Sequence, residues 1–147
     1  MSTTNTQNPS VTSLAAERIV WGRLWLSGLA AIIASVIVNM LIATVTLAFL
    51  PASSHAMQLQ VPVYTTFTVI GALGAVLIFA LLGKLSRRPV RLYRIIASVV
   101  LVISFVPDFL LLPAMHVEGI VIGALIVMHI ATYLITVGML TTISRAK

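Results

Sequence analysis

The chain of 147 residues contains no cysteine. That absence excludes disulfides, thiol catalysis and cysteine-ligated clusters, and it leaves the compartment open. Acidic residues are almost as scarce, with only Glu17, Asp108 and Glu118. There are no paired carboxylates, no nucleophile elbow and no HExxH sequence, so an enzymatic reading has little to stand on. Charged residues of both signs make up 8% of the chain, against roughly 25% in a soluble domain. No internal repeat is evident, which argues against an inverted-repeat transporter.

Long apolar stretches take up the space that charge does not. The composition is 60% hydrophobic, and the mean hydropathy is +1.13. Four runs reach about 20 residues or more, enough for a helix to cross a hydrocarbon core of about 30 Å. Without water to satisfy the backbone, a helix is the only economical conformation for such runs. The expected spans are 23–50, 63–83, 90–112 and 119–142, in one domain covering 14–147. Pro51, Pro62, Pro89 and Gly119 punctuate them, and Pro107 lies inside the third, where it should bend the helix. The first run, Leu24 to Leu50, is far longer than the apolar core of about 7–15 residues in a signal peptide, so it reads as an uncleaved span. Residues 1–13 are polar and read as a disordered tail. Trp21 and Trp25 suit the headgroup boundary.

The nine basic residues supply a direction. Arg18 and Arg23 precede the first span; Lys84, Arg87, Arg88, Arg91 and Arg94 lie between the second and third; Arg145 and Lys147 follow the fourth. The other two connections have none. Positive charge stays cytoplasmic during insertion, so both termini are expected inside, in a multi-pass inner (plasma) membrane protein. The fold class is therefore all-α: a membrane-spanning up-down-up-down four-helix bundle. The net charge of +6 sits at helix ends, where topology and anionic headgroups explain it, and no nucleic-acid partner is expected.

Polar side chains inside a span are costly and need partners. Asn39 in the first helix and His129 in the fourth fall at similar depth, each about 3 Å outside the midplane by helical rise. Ser35, Asn39 and Thr46 form one stripe; His129, Thr132, Tyr133 and Thr136 form another. Facing each other, the two stripes would line a seam that widens outward toward Thr68, Ser104 and Asp108. Asn39, His129, Asp108, Thr132, Tyr133, Ser35, Thr68 and Ser104 are thus the candidate ligand-binding residues of an outward-facing pocket. The plainer alternative is an Asn39–His129 hydrogen bond that only holds two helices together. Ser and Thr hydroxyls bonded to their own helix are equally ordinary.

Other uses of these residues are weaker. His129 is the right ligand type for haem but has no second intramembrane histidine, and His55, His116 and Glu118 match no metal spacing, so no cofactor or metal is expected. Small residues, Gly28, Ser35 and Ala43 on the first helix and Gly71, Ala72 and Ala75 on the second, mark expected close approaches.

Asn39, Val61-Pro62-Val63-Tyr64-Thr65, Ser104-Phe105-Val106-Pro107-Asp108 and Met128-His129 together resemble a family of small bacterial four-helix membrane proteins classed only as a domain of unknown function. The resemblance covers about residues 20–145. It implies a bacterial inner membrane and four spans, and it carries no substrate, cofactor or catalytic residue. Two functional readings stand. One is a non-enzymatic membrane protein binding a small or lipid-like ligand in a polar pocket. The other is an accessory or structural subunit of a larger membrane complex or homo-oligomer.

Overall fold

The computed structural model describes residues 20–50 and 56–143. The expected tail at 1–13, the segment 51–55 with His55, and Arg18, Arg145 and Lys147 lie outside the described residues. Four helices follow in order: α1 (Trp21–Ala48), α2 (Val61–Leu85), α3 (Pro89–Ala114) and α4 (Gly119–Ile143), with a 3-10 turn at Met57–Leu59 before α2. All four are long and apolar enough to cross a membrane, so this is a multi-pass membrane protein built as an all-α bundle. At 28 residues, α1 is about 42 Å long and exceeds the hydrocarbon, which requires tilt or projection.

Proline and backbone caps set the ends. Pro62 sits in the first turn of α2 and Pro89 opens α3, where the missing N–H costs nothing. Between them the Arg88 N–H donates to Ser86 Oγ at 3.1 Å, closing a very short turn. α3 runs on through Pro107 and Pro113. It ends on His116, whose φ of 58° is left-handed. The Val117 N–H reaches the Leu112 carbonyl and the His116 N–H reaches that of Pro113, both at 3.1 Å, the paired bonds of a Schellman cap. His116 therefore has a backbone task in that turn.

Residue pairs across the bundle define its order. Asn39 meets Thr68 and Thr132, Phe79 meets Tyr93, Ser98 meets Tyr133, and Arg94 approaches Thr141. Gly28 with Val76 and Asn39 with Thr68 run oppositely along α1 and α2, as do Arg94–Thr141, Ser98–Tyr133 and Asp108–His129 along α3 and α4, and Phe79 reaches Tyr93 across the short α2–α3 turn, so sequential helices are antiparallel. α1 packs most extensively on α4 and then on α2; α3 leans on α4 and only lightly on α2. Two apolar clusters close the ends. Leu24, Val76, Phe79, Val90, Tyr93 and Leu140 form one, with the Phe79 and Tyr93 rings 4.8 Å apart. Ala43, Leu59, Tyr64, Val121, Ala124 and Met128 form the other. Large apolar side chains such as Ile37, Phe67, Val102 and Leu134 point outward, as a lipid solvent allows.

Beside Leu24, Asn39 and Thr46, the buried face of α1 consists of small residues: Ser27, Gly28, Ala31, Ser35 and Ala43. Gly28 makes the closest approach, since a Cβ there would stand 2.8 Å from Val76 Cγ2. On α2 the expected small-residue contact divides. Ala72 is fully buried, but a Cβ on Gly71 or Gly74 would meet nothing within 4 Å. Those glycines are not packing positions, because α3 stands away from them.

The described basic residues gather at one end, at the start of α1 and around the α2–α3 turn. There Lys84 Nζ sits 5.2 Å from the centre of the Trp21 ring, a cation–π contact suited to a headgroup boundary.

Candidate functional site

The light contact between α2 and α3 leaves a cleft of about 710 Å³ that is open on one side. α2 and α3 form its walls, α4 its back, and Asn39 of α1 reaches it from behind. It extends from Gln58 and Met115 at one end to Ile78 and Tyr93 near the other. Its width comes from residues that fill little space: Gly71, Gly74 and Ala75 on α2 and Ala97 on α3. The walls are mainly apolar, and the polar groups concentrate on the back.

Asn39 is the hub of that polar layer. It is 2% exposed, and its Nδ2 donates to Thr68 Oγ1 at 2.8 Å and to Thr132 Oγ1 at 3.1 Å. One amide thus ties α1 to α2 and α4. Its Oδ1 is buried with no hydrogen-bond partner. Each interhelical bond of this kind contributes about 0.6–2 kcal/mol in a membrane. Asn39→Leu is expected to lower stability by about 1–3 kcal/mol, the upper part reflecting a branched side chain in a filled site. Equilibrium unfolding in bicelles measures it; an unchanged or higher stability would show that Asn39 does not join the helices.

His129 and Asp108 form a second centre, between α4 and α3. Asp108 is 5% exposed, and its Oδ2 lies 3.4 Å from His129 Nδ1. That nitrogen is 2.8 Å from the Leu125 carbonyl. A carbonyl only accepts, so Nδ1 carries the proton and donates it to Leu125. The carboxylate gains proximity to the imidazole but no hydrogen bond, and its Oδ2 remains buried and unpaired. The Phe105 ring stands edge-on to the imidazole, with centroids 6.2 Å apart.

The remaining polar groups are largely satisfied. Tyr133 Oη and Ser98 Oγ are hydrogen-bonded at 2.8 Å. Ser104 donates to the Leu101 carbonyl at 2.7 Å, and Thr136 to that of Thr132 at 2.7 Å. Thr44 and Thr46 likewise bond their own helix.

Asn39, Thr68, Ser104, Asp108, His129, Thr132 and Tyr133 all line the cleft. Ser35 does not: it is fully buried, and its hydroxyl finds no partner there. An Asn39–His129 bond does not form, because Asn39 turns to Thr68 and Thr132 while His129 turns to α3. The polar seam therefore joins α1 to α4 through Asn39 and Thr132, and it extends to Thr68 of α2 and, through His129, to Asp108 of α3. Tyr93, Ala97 and Leu101 of α3 also line the cleft and are contributors that residue-by-residue reading passes over. Their signal is a stripe on α3, Tyr93, Ala97, Leu101, Ser104 and Asp108, at steps of three and four. Among the described residues no group of three or more His, Asp or Glu side chains converges as a metal site would require.

The model of a family described as "Family of unknown function (DUF6069)" matches residues 16–146. No curated protein matches the chain, and no solved structure does.

Proposed function

The chain belongs to the Family of unknown function (DUF6069), and on that footing we propose that it is a non-enzymatic membrane protein whose α2–α3 cleft binds a small or lipid-like ligand. The observation that carries the reading is the cleft itself. An open cleft of about 710 Å³ between two helices falls in the range of ligand sites. Apolar walls with a few convergent polar groups suit an occupant with an alkyl body and a polar head. In this reading the protein resides in a bacterial inner membrane with the basic end of the bundle cytoplasmic. The end bearing Gln58, Asp108 and Met115 then faces outward.

The test has two parts. A phospholipid bearing an alkyl diazirine, photolysed with the protein in nanodiscs, is expected to label cleft residues of α2 and α3 above the outward faces of α1. Uniform labelling of all four helices would count against a site. Sidedness is read with single cysteines, which the cysteine-free chain makes clean. In intact cells Glu118→Cys should react with a membrane-impermeant maleimide and Arg88→Cys should not. The reverse pattern would turn the cleft toward the cytoplasm.

One feature favours a second reading. α3 buries little of its length in the bundle, and Gly71 and Gly74 leave a notch that a partner helix can enter. An accessory subunit of a larger complex, or a homo-oligomer, would fill the cleft with protein. The lipid label would then appear in the cleft only after the partner is removed.

A further inference from the structure

We infer that the cleft selects amphiphiles carrying a protonated amine, held through Asp108; this rests on the cleft being a ligand site. Asp108 is the one acidic side chain within the four spans. It is 5% exposed and lines the cleft, and its Oδ2 is buried without a hydrogen-bond partner, so an occupant reaches it only by a small rotation of the carboxylate. Asn39, 2% exposed, lines the same cleft with an unpaired Oδ1. Near the Asp108 end both of these oxygens are acceptors; the other unpartnered cleft atom, the Tyr93 hydroxyl, lies fifteen positions away along α3. A ligand that completes the two oxygens must bring donors.

Charge points the same way. The titratable group beside Asp108 is His129 of α4, whose ring in turn stands edge-on to Phe105. The Nδ1 proton of His129 already goes to the Leu125 carbonyl. Among the described residues no lysine or arginine lines the cleft. Arg94, the closest basic residue along α3, is fourteen positions away, about 21 Å by helical rise. A carboxylate at this depth, with an imidazole nitrogen at 3.4 Å but no hydrogen bond from it, is expensive. An ammonium group supplies a cation and a donor at once, as a charge-assisted hydrogen bond. The tail has somewhere to go. Apolar wall extends from the level of Asp108 to Tyr93, about 22 Å along α3, while Gly71 and Gly74 keep the facing wall low.

The experiment uses the full chain in phosphatidylcholine nanodiscs and the cleft photolabel described above. Dodecylamine, dodecanol and dodecanoate compete for it at neutral pH. Dodecylamine is expected to displace the label at concentrations at least about tenfold lower than the other two, the factor one charge-assisted bond provides. Asp108→Asn, nearly the same size, should erase that preference and leave competition by dodecanol unchanged. Equal competition by all three overturns the inference while the cleft remains a lipid site. So does a preference for the amine that survives Asp108→Asn. If Asp108→Asn does not fold, the ranking of the three compounds on the wild type decides alone. Failure of the label to enter the cleft removes the ligand-site reading and this inference with it.

Discussion

Gly28→Leu should cost the protein about 3 kcal/mol or more of stability, the largest loss expected from a single substitution in the bundle. A Cβ at this position would lie 2.8 Å and 3.0 Å from the two methyls of Val76, and leucine adds three more carbons beyond it. Val76 cannot retreat, because it is 2% exposed in the cluster with Leu24, Phe79 and Leu140. Forcing extra methylenes into such a site costs about 1–3 kcal/mol each time the backbone must shift. Helix propensity works in the opposite direction, since replacing glycine inside a helix contributes about 1 kcal/mol. The clash is the larger effect and sets the sign. α1 must move off α2, and the Asn39–Thr68 bond at 2.8 Å stretches with it. Gly74→Leu is the matched control: its Cβ meets nothing within 4 Å, so it should lose no stability and should gain up to about 1 kcal/mol from helix propensity. Unfolding of both variants in bicelles decides the matter. Equal stabilities would mean that α1 and α2 do not approach at Gly28.

The second large effect concerns binding. Gly71→Phe should abolish cleft labelling by the diazirine lipid, a loss of at least about tenfold, with the fold intact. Gly71 lines the cleft and has open space where a side chain would start. A phenyl group there replaces the occupant in an apolar channel and removes the room for an alkyl chain, and a ligand that loses its apolar contacts loses most of its affinity. Stability should stay within about 0.5 kcal/mol, because nothing is displaced. Native mass spectrometry of the same variant separates the two functional readings. A ligand site loses its lipid and keeps its oligomeric state. A seat for a partner helix loses its partner. Undiminished labelling of Gly71→Phe would exclude the α2–α3 cleft as the place where lipid enters.

Helix placement followed from hydropathy and proline almost unaided. α1 begins at Trp21 and not at Arg23, because an indole at the headgroup boundary is compatible with helix. α2 begins at Val61, one residue before Pro62, since proline is tolerated anywhere in a first turn. α3 continues to Ala114 past Pro113 because the Schellman bonds at His116 and Val117 complete its last turn. That cap was not legible beforehand: a histidine at the left-handed position carries no glycine or asparagine signature.

The candidate site was legible as faces and depths only. Periodicity put His129, Thr132, Tyr133 and Thr136 on one stripe, and helical rise put Asn39 near the level of His129. Neither quantity contains the rotation of one helix about its axis relative to the next. The pairing of Asn39 with Thr68 and Thr132, and of His129 with Asp108, depends on that rotation. Ser35 shows the limit most clearly: it shares the stripe of Asn39 yet ends inside the close packing of α1, away from the cleft.

By itself the sequence determined four apolar crossings and the gathering of cations at one end of them, because lipid rejects unpaired backbone and charge whatever the helices do to one another. Only tertiary structure decided where the bundle closes and where it stays open. Gly28 lets α1 reach Val76, whereas Gly71 and Gly74 face a helix that never arrives. A glycine has the same composition in both places; the distance to the neighbouring helix makes one a contact and the other an empty wall.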